Sequence, residues 1–491
     1  MNLSLSKGGR FADSGTLSSD RSQSDYVILP FKFERLDDEK GTLVSNEVGE
    51  FCFVPHDTIA LIAANSPIPQ ESFSKLERIH VLARGEESAA YSLLPLKLRR
   101  KFSRLSEFTS LHMLVVTLRC NQSCPYCQVS RQSEDRLAYD MSTQVAERAI
   151  QHIFRSPSKR IKIEFQGGES LLNFDLIKWV VKRSREVCPS DVDLAFVAAT
   201  NLTFLTDEII EFFGDEGILF STSIDGPADL HNKNRPYREH DAFEIVCGNI
   251  RRIQNALGSD SVAALMTTTA RSLPKAKEIV DQYIALDFRG IYLRSLSPYG
   301  FALKTKTYYE YSAKEWLEFY VEALDYILEI NRRGHYFEEF YTKLIARRML
   351  DQDSDGYVDL QSPTGSGIMG VVYDYDGKVY VSDEARMLAQ MGDHSLQLGH
   401  VDDSYEDLFL RGKLPELVNE TMNQSAPMCH SCAFQPWCGS EPSYHYSTQR
   451  DLLGHKAFSG FCHKQMGIFR HLLSLAADRP EDWKIIVNWI K

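Results

Sequence analysis

The sequence predicts an α/β protein built around a partial, TIM-like (β/α)6 barrel. Six short apolar runs alternate with amphipathic helical stretches in the middle of the chain. Strands that alternate with helices at this spacing form βαβ units and a parallel sheet. Six units suit a partial barrel better than a closed barrel of eight. The predicted strands are residues 114–118, 161–165, 194–199, 219–224, 262–266 and 291–293.

The intervening segments carry helix signals. Thr206, for example, is followed by Asp207 and Glu208. A Thr hydroxyl caps the first backbone N–H groups of a helix, and acidic side chains favour its positive N-terminus. The predicted barrel helices are residues 142–154, 173–187, 206–215, 241–257 and 274–286.

A chain of 491 residues is too long for one ordinary core and predicts several domains. Residues 26–108 predict a small α+β domain with a strand at 26–33, a hairpin of 41–47 and 50–55, and helices near 56–64 and 71–83. The other divisions are a Ser-rich disordered tail (1–25), the barrel (109–305), a helical bridge and linker (306–360), a cysteine-bearing domain (361–465) and a C-terminal helix (466–491).

Two elements after the barrel are well marked. Apolar residues recur at helical spacing over 312–333, which predicts a long helix with one buried face. Residues 371–375 and 378–381 flank Asp376-Gly377, a dipeptide typical of tight hairpin turns. The second group of cysteines follows this hairpin.

Composition excludes several classes of function. The net charge of −12 argues against a nucleic-acid partner, which requires clustered Lys and Arg. No apolar run approaches the roughly 18 residues that a membrane helix needs, so no membrane partner is expected. The N-terminus lacks a basic-then-apolar signal pattern, and we expect a cytoplasmic protein. In such a chain, clustered cysteines indicate metal ligands or catalysts rather than disulfides.

Three cysteines directly follow the first predicted strand. Cys120, Cys124 and Cys127 have the spacing C-x3-C-x2-C. A cubane iron–sulfur cluster has four irons, so three protein thiolates leave one iron open to bind a substrate or cofactor. The alternative is a three-cysteine zinc site completed by His or water.

The spacing, together with Tyr126 before the last cysteine, resembles the radical SAM family. The resemblance implies a [4Fe–4S] cluster whose open iron is chelated by S-adenosylmethionine (SAM). It further implies reductive cleavage of SAM to a 5′-deoxyadenosyl radical, and it places Tyr126 against the adenine. An electron donor such as flavodoxin or ferredoxin is also implied.

Further motifs fall at successive strand ends, where parallel barrels carry their chemistry. Residues 166–170 (QGGES) resemble the family's GGEP motif with Ser170 in place of Pro. Residues 223–227 (SIDGP) resemble a segment that binds the ribose or carboxylate of SAM, and Arg235 or Arg238 follows. The resemblance assigns SAM binding to Tyr126, Gln166, Gly167, Gly168, Glu169, Thr200, Asn201, Ser223, Asp225 and Arg238.

Four further cysteines, Cys429, Cys432, Cys438 and Cys462, lie near the C-terminus. Spacing alone is compatible with structural zinc. The pattern resembles the SPASM domain of peptide-modifying radical SAM enzymes, in which these four positions hold an outer auxiliary [4Fe–4S] cluster.

The ligands of the inner auxiliary cluster are missing, because Ser382 and Pro442 stand where the family has cysteines. We therefore expect one auxiliary cluster. Asp383, beside the first missing ligand, matches a base in sulfatase-maturing relatives, and this makes it a candidate catalytic residue.

Within SPASM enzymes, residues 26–36, 124–132 and 382–388 resemble the radical SAM maturase of the His-Xaa-Ser system. This implies a ribosomally made peptide substrate with His-Xaa-Ser repeats, a second radical SAM maturase as partner, and leader recognition by residues 26–108. Two alternatives are a sulfatase-type formylglycine maturase and a non-catalytic, zinc-binding peptide scaffold.

Overall fold

A computed structural model of the chain describes residues 26–36, 41–85, 87–238, 240–351 and 357–491. The chain divides into two compact units: Met1–Arg100 with Ser431–Pro436, and Lys101–His430 with Trp437–Lys491. The predicted disordered tail, residues 1–25, lies outside the described residues. Among the described helices, none has the length and apolar character needed to span a bilayer.

The first unit contains two small antiparallel sheets and helices, in the region where the sequence predicts an α+β domain. Its core packs α2 against the sheet around Val44, Val54 and Leu76. Strands β2, β3 and β4 form an antiparallel sheet in that order, and β1 pairs with β5. The elements are β1 (Val27–Ile28), β2 (Phe31–Arg35), β3 (Thr42–Asn46), β4 (Phe51–Val54), α1 (Thr58–Ala63), α2 (Gln70–Arg78), β5 (Leu82–Ala83) and α3 (Ala89–Phe102).

Two details of this unit differ from the sequence-based expectation. The single strand expected over 26–33 is divided into β1 and β2, and Pro30, which has no N–H for a sheet ladder, lies at the division. Helix α3 was not predicted, and it includes Pro95. The hairpin prediction is confirmed: β3 pairs with β4, and Asn46 Oδ1 accepts the N–H groups of Val48, Gly49 and Glu50.

The second unit contains a nine-stranded sheet in the order β12-β10-β9-β8-β7-β6-β14-β15-β16. Its elements are β6 (Leu111–Thr117), α4 (Arg136–Tyr139), α5 (Thr143–Ile153), β7 (Arg160–Gly167), α6 (Phe174–Val187), β8 (Asp193–Ala199), α7 (Asp207–Glu216), β9 (Ile218–Ser223), α8 (Ala228–Asn234), α9 (Ala242–Leu257), β10 (Val262–Thr267), α10 (Ala276–Ala285), β11 (Gly290–Ile291), β12 (Leu293–Arg294), α11 (Phe301–Lys304), α12 (Ala313–Arg332), β13 (Glu338–Glu339), α13 (Phe340–Leu350), β14 (Gly370–Tyr373), β15 (Lys378–Tyr380), α14 (Asp383–Ala389), β16 (Gln397–His400), α15 (Lys413–Glu420), α16 (Pro442–Gln449), α17 (Gly460–Asp478) and α18 (Pro480–Ile490).

The predicted parallel α/β core is confirmed. Strands β6, β7, β8, β9, β10 and β12 pair in parallel in chain order. Between them run helices whose apolar faces cover the sheet, such as α7, which Thr206 caps as expected. The sixth run is divided: β12 joins the main sheet, whereas β11 pairs with β13.

The cysteine-bearing region extends the same sheet. Strand β14 pairs in parallel with β6 and antiparallel with β15, so the Asp376-Gly377 hairpin is attached to the first barrel strand. The long helix is confirmed as α12, with a capping box between Ser312 and Glu315. The prediction of a single C-terminal helix was wrong, since α17 ends at Asp478 and α18 starts at Pro480. A proline is favoured in the first turn of a helix and disfavoured in its interior, so a new helix begins at Pro480.

Candidate functional site

The carboxyl ends of the parallel strands bring the predicted site residues to one edge of the sheet. Thr117 of β6 is in register with Gly167 of β7, and Leu265 of β10 with Ser223 of β9. The cysteines follow β6, residues 166–170 end β7, Thr200 follows β8, and Asp225 follows β9. This edge is where parallel α/β sheets place their chemistry.

The three cysteines lie in one half-buried loop, residues 119–128, which we call the cysteine loop. Burial raises the pKa of the Cys120 and Cys124 thiols to about 12, and nearby Cys127 raises both pKa values further. A bound metal cation would lower these pKa values and favour the thiolate form that ligates metal. Gln122 of the same loop has a buried amide nitrogen without a partner. Clustered thiols and an unpaired donor, which can bond to cluster sulfur, fit an iron–sulfur cluster.

A zinc ion and an iron–sulfur cluster would require different separations of the three cysteine sulfurs. Tetrahedral zinc with sulfur at about 2.3 Å draws its ligand sulfurs to within about 4 Å of each other. Within the described parts of the chain, no group of three or more His, Cys, Asp or Glu side chains has an arrangement that could hold a metal ion. A cubane separates its terminal ligands more widely, because each thiolate binds a different iron.

The glycine pair brings β7 against the cysteine loop. A Cβ on Gly168 would lie 2.2 Å from the carbonyl oxygen of Arg119, and one on Gly167 would lie 1.8 Å from that of Thr117. The backbone N–H of Gly168 donates to Thr117 O over 2.9 Å. These glycines therefore have a packing role in addition to the SAM contact implied by the resemblance.

Glu169 links three strand ends. It is fully buried and accepts hydrogen bonds from Thr200 Oγ1 (2.7 Å), Asn201 N (2.6 Å) and Leu171 N (3.0 Å). Burial raises the pKa of Glu169 to about 7. Asn201 Nδ2 lies 3.8 Å from Cys120 Sγ, so the network reaches the cysteine loop. Gln166 is outside this network, because its amide donates to Glu164 on the same strand.

A second buried network joins the cysteine loop to β9. Tyr126 Oη donates to Asp225 Oδ2 over 2.6 Å, and Arg235 Nε lies 3.2 Å from the same oxygen. The Arg235 guanidinium is 5.5 Å from the centre of the Tyr126 ring, and its charge lowers the pKa of Cys124 against the larger effect of burial. Ser223, at the end of β9, is half-buried.

The structure places Arg235, rather than Arg238, beside the cysteines. The Arg238 side chain is 63% exposed and pairs with Glu134. The sequence alone does not decide which of the two arginines lies near the cysteines, because both follow the SIDGP segment. Only α8, which ends just before Arg235, decides that this side chain points back toward Asp225.

Asp383 is held by an ion pair. Arg386 Nε donates to Asp383 Oδ1 over 3.0 Å, and Arg386 NH1 lies 3.4 Å from the carbonyl oxygen of Val129, just past the cysteine loop. Arg386 is only 1% exposed. A carboxylate paired in this way has a structural role, and a catalytic role for Asp383 stays a prediction. No sequence pattern pointed to Arg386.

The positions that lack cysteine lie together. Ser382 caps α14, and its Oγ lies 3.4 Å from Oγ of Ser443, the neighbour of Pro442. Two small hydroxyl side chains thus meet where SPASM proteins are expected to place inner-cluster thiols. The expectation of a single auxiliary cluster stays a prediction.

The four C-terminal cysteines are all half-buried. Cys432 belongs to the first compact unit, and Cys429, Cys438 and Cys462 belong to the second. Burial raises the pKa of Cys429, whereas the charge of Lys456 lowers it. Cys462 lies in the first turn of α17, where its backbone N–H donates to Ser459 Oγ. Their role as ligands of one cluster stays a prediction from spacing.

Comparison with known proteins gives a family for the barrel. Residues 114–269 match the model of the Radical SAM superfamily, from β6 to just past β10. Over these residues the chain is therefore similar to radical SAM proteins, in agreement with the resemblance that the sequence motifs indicate. A [4Fe–4S] cluster and SAM are the cofactors of that superfamily.

Two relatives extend beyond this domain. An uncharacterised protein of Methanocaldococcus jannaschii is 30% identical over 188 residues, which is 38% of this chain and 62% of that protein. The cysteine-type anaerobic sulfatase-maturating enzyme of Clostridium novyi is 21% identical over 393 residues, which is 75% of this chain and 99% of that enzyme. The chain thus spans less than two thirds of the first relative and nearly all of the second.

Solved structures share the fold. The anSMEcpe structure with bound AdoMet and Cp18Cys peptide has a TM-score of 0.62 at 19% identity, over 77% of this chain and 99% of that chain. Streptococcus suis SuiB bound to its precursor peptide SuiA has a TM-score of 0.53 at 12% identity, over 89% of this chain and 99% of that chain.

Proposed function

We propose that this chain is a radical SAM maturase that modifies a ribosomally made peptide. The observation that carries the proposal is the meeting of three half-buried cysteines with the Glu169 and Asp225 networks at the carboxyl edge of the sheet. When bound, a reduced [4Fe–4S] cluster and SAM supply a 5′-deoxyadenosyl radical that abstracts hydrogen from a substrate.

The residues of this chain would have distinct tasks. Cys120, Cys124 and Cys127 would hold three irons and leave the fourth open. Arg235 offers a positive charge beside Cys124, where it would suit the carboxylate of a zwitterionic ligand. The Glu169 network fixes the strand ends around the loop and limits the entry of water.

The peptide substrate is supported by the relatives. Solved structures of the same fold contain peptides, namely Cp18Cys and SuiA. We propose that the substrate carries His-Xaa-Ser repeats, as the resemblance of residues 26–36, 124–132 and 382–388 implies. Flavodoxin or ferredoxin as reductant, a second radical SAM maturase as partner, and a cytoplasmic location belong to the same proposal.

The first unit supplies a candidate surface for the peptide leader. Strand β2 is an edge of its three-stranded sheet, and Phe33 on that strand is 47% exposed. Edge strands bind extended peptides through main-chain hydrogen bonds. Phe33→Glu should weaken binding of the leader, whereas Leu137→Glu, at a position 99% exposed in the second unit, should not. Equal affinity of both variants would exclude this surface.

A sulfatase-type maturase is the second candidate, because the Clostridium novyi enzyme aligns over almost its entire length. The Ser and Pro at positions 382 and 442, where the resemblance expects inner-cluster cysteines, count against it. Co-expression with a His-Xaa-Ser peptide and with a Cys-containing sulfatase peptide, followed by mass spectrometry, distinguishes the two. A mass change confined to the His-Xaa-Ser peptide supports the proposal, and formylglycine in the sulfatase peptide supports the alternative.

The enzymatic reaction has a direct test. Protein reconstituted anaerobically with iron and sulfide should convert SAM and dithionite to 5′-deoxyadenosine. A variant with Ala at positions 120, 124 and 127 should form none, whereas Cys188→Ala, remote in sequence from both cysteine groups, should form the normal amount. Absence of 5′-deoxyadenosine from loaded wild-type protein would favour the non-catalytic scaffold.

Iron content tests the auxiliary cluster. One auxiliary cluster held by Cys429, Cys432, Cys438 and Cys462 predicts about eight irons per chain. About twelve irons would require two auxiliary clusters, and about four irons with one zinc would favour structural zinc. Cys429→Ala should remove about four irons and leave the SAM-binding cluster in place.

A further inference from the structure

A charged cavity lies in the second unit, beside the end of β12. Its volume is about 90 Å³, room for one side chain. It is lined by both residues of β12 and by side chains of α12, α13, α14, α16 and α17. We call it the charged cavity and define it by Arg294, Trp316, Glu384, Glu441, Lys464 and Gln465, together with Asp359.

The charges that face the cavity do not balance. Two cations, Arg294 and Lys464, stand against the carboxylates of Asp359, Glu384 and Glu441. Arg294 is 3.9 Å from Glu384, and Lys464 interacts most favourably with Asp359. Glu441 is the carboxylate in excess, since its strongest charge interactions are repulsions from Glu384 and Asp359.

Glu441 lies at the start of α16 and is 8% exposed. Its Oε1 accepts the backbone N–H of Tyr444, and its carboxylate is also bonded by the backbone N–H of Ser443. Burial raises the pKa of Glu441 well above its usual value, and the two neighbouring carboxylates raise it further. A cation placed beside it would relieve both effects.

Two polar atoms on the cavity wall have no partner in the described structure. They are Oε1 of Gln465 and Nε1 of Trp316. Their side chains are deeply buried, at 4% and 3% exposure. An unpaired acceptor at this depth costs free energy until a donor reaches it. The Trp316 and Tyr444 rings already face the Lys464 ammonium, whose Nζ lies 5.6 Å and 6.0 Å from the two ring centres.

The cavity adjoins the missing inner-cluster positions. Glu384 is two residues beyond Ser382, and Glu441 is two residues before Ser443. The segments that meet through Ser382 and Ser443 thus also carry two of the cavity's carboxylates.

We propose that the charged cavity binds a cationic, N–H-bearing side chain of the peptide substrate, with Glu441 and Gln465 Oε1 as its acceptors. The ligand class is an ammonium, guanidinium or imidazolium group. This inference rests on the proposed function, because it assigns a specificity site within the same enzyme. An anionic side chain is disfavoured, since it would lie among three acidic side chains in a buried site.

The test uses iron-loaded, full-length protein and acetylated, amidated pentapeptides Gly-Gly-Xaa-Gly-Gly in which Xaa is Lys, Arg, His, Gln or Glu. Affinities are measured anaerobically by ligand-observed NMR. The Lys or Arg peptide, or the His peptide below pH 6, should bind at least about tenfold more tightly than the Gln peptide, because a charge-assisted hydrogen bond is worth about 1.5–3 kcal/mol. Equal binding of all five peptides, or a preference for Glu, overturns the proposal.

Substitutions of the cavity residues test whether the preference for a cationic peptide arises in the charged cavity. Glu441→Gln should lower affinity for the cationic peptide about tenfold and leave the Gln peptide unaffected. Glu318→Gln, on the exposed face of α12, is the matched control and should change neither affinity. Glu441 also caps α16, so Glu441→Gln could prevent folding. In that case Glu384→Gln replaces it and should lower the affinity for the cationic peptide by the same factor. If a folded cavity variant still binds the cationic peptide more tightly than the Gln peptide, the charged cavity is not the binding site.

The two levels of proposal fail separately. Wild-type protein that forms no 5′-deoxyadenosine refutes the proposed function, whatever the peptide affinities. Wild-type protein that cleaves SAM but shows no cationic preference refutes only the assignment of the cavity.

Discussion

Tyr126 Oη donates a hydrogen bond to Asp225 Oδ2 over 2.6 Å, and this bond ties the cysteine loop to the end of β9. Asp225 is fully buried, and the same carboxylate is paired with Arg235. The loop's geometry therefore depends on charge pairing at a neighbouring strand as well as on its own turns.

Tyr126→Phe should lower the free energy of unfolding by about 2 kcal/mol, because it removes a hydrogen bond to a buried, charged group. The measurement is urea unfolding of the reconstituted protein followed by circular dichroism. Tyr309→Phe, at a side chain 70% exposed, is the control and should change stability by less than about 0.5 kcal/mol. Equal effects of the two variants would contradict a stabilising role for the Tyr126–Asp225 bond.

Arg235→Met should be strongly destabilising, by about 3–5 kcal/mol, because it leaves the buried Asp225 carboxylate without its cation. Arg238→Met removes an exposed pair with Glu134 and should cost less than about 1 kcal/mol. Thermal unfolding of both variants gives the comparison. A larger effect at Arg238 would contradict a stabilising role for the buried Arg235–Asp225 pair.

Gly168→Ala should destabilise the protein by about 1–3 kcal/mol, since the new Cβ would overlap the backbone of Arg119 rather than a side chain that can move. It should also reduce the iron retained after reconstitution. Gly248→Ala, in the exposed interior of α9 with no atom within 4 Å of its Cβ, should instead stabilise the protein by about 0.5–1 kcal/mol. Unfolding midpoints of the two variants that shift in the same direction would contradict the steric explanation.

Stability should fall as the pH falls from about 6.5 to about 4. Burial lowers the pKa of His112 to about 4, and its ring nitrogens are bonded to Thr109 O and near Tyr373 Oη. The folded state therefore binds fewer protons than the unfolded state across this window, so acid favours unfolding. The contribution of His112 is about 3 kcal/mol at neutral pH, and it is lost as the pH approaches 4.

The test compares unfolding free energies at pH 7 and pH 5 for wild type and His112→Gln. The unfolding free energy of the variant should change less between pH 7 and pH 5 than that of the wild type. Part of the change should remain, because the pKa values of buried His231 and His445 are also lowered to about 4. His394→Gln, at an exposed position, should reproduce the wild-type difference. A His112 variant with an undiminished pH effect would contradict this assignment.

The sequence predicted the barrel well because its signals are local. Apolar runs with the period of a strand, amphipathic helices between them and caps such as Thr206 act within a few residues, and the observed strands follow in the predicted order. At Pro30 and Pro480 a proline interrupts an otherwise continuous pattern. There the sequence predicted one strand and one helix, and the structure has two of each. The attachment of β14 to β6 joins residues more than 250 positions apart, and no local pattern reports such pairing.

By itself, the sequence determined the chemical class of the site, because thiolate ligands, glycines and strand ends are set by residue type and spacing. Only the tertiary structure decided which neighbours act on them. In the folded chain Arg235, rather than Arg238, pairs with Asp225, and Asp383 pairs with Arg386. The fold also places Ser382 beside Ser443 and forms the charged cavity. These contacts depend on charge, burial and distance between segments far apart in the chain, and those quantities exist only once the strands and helices have packed.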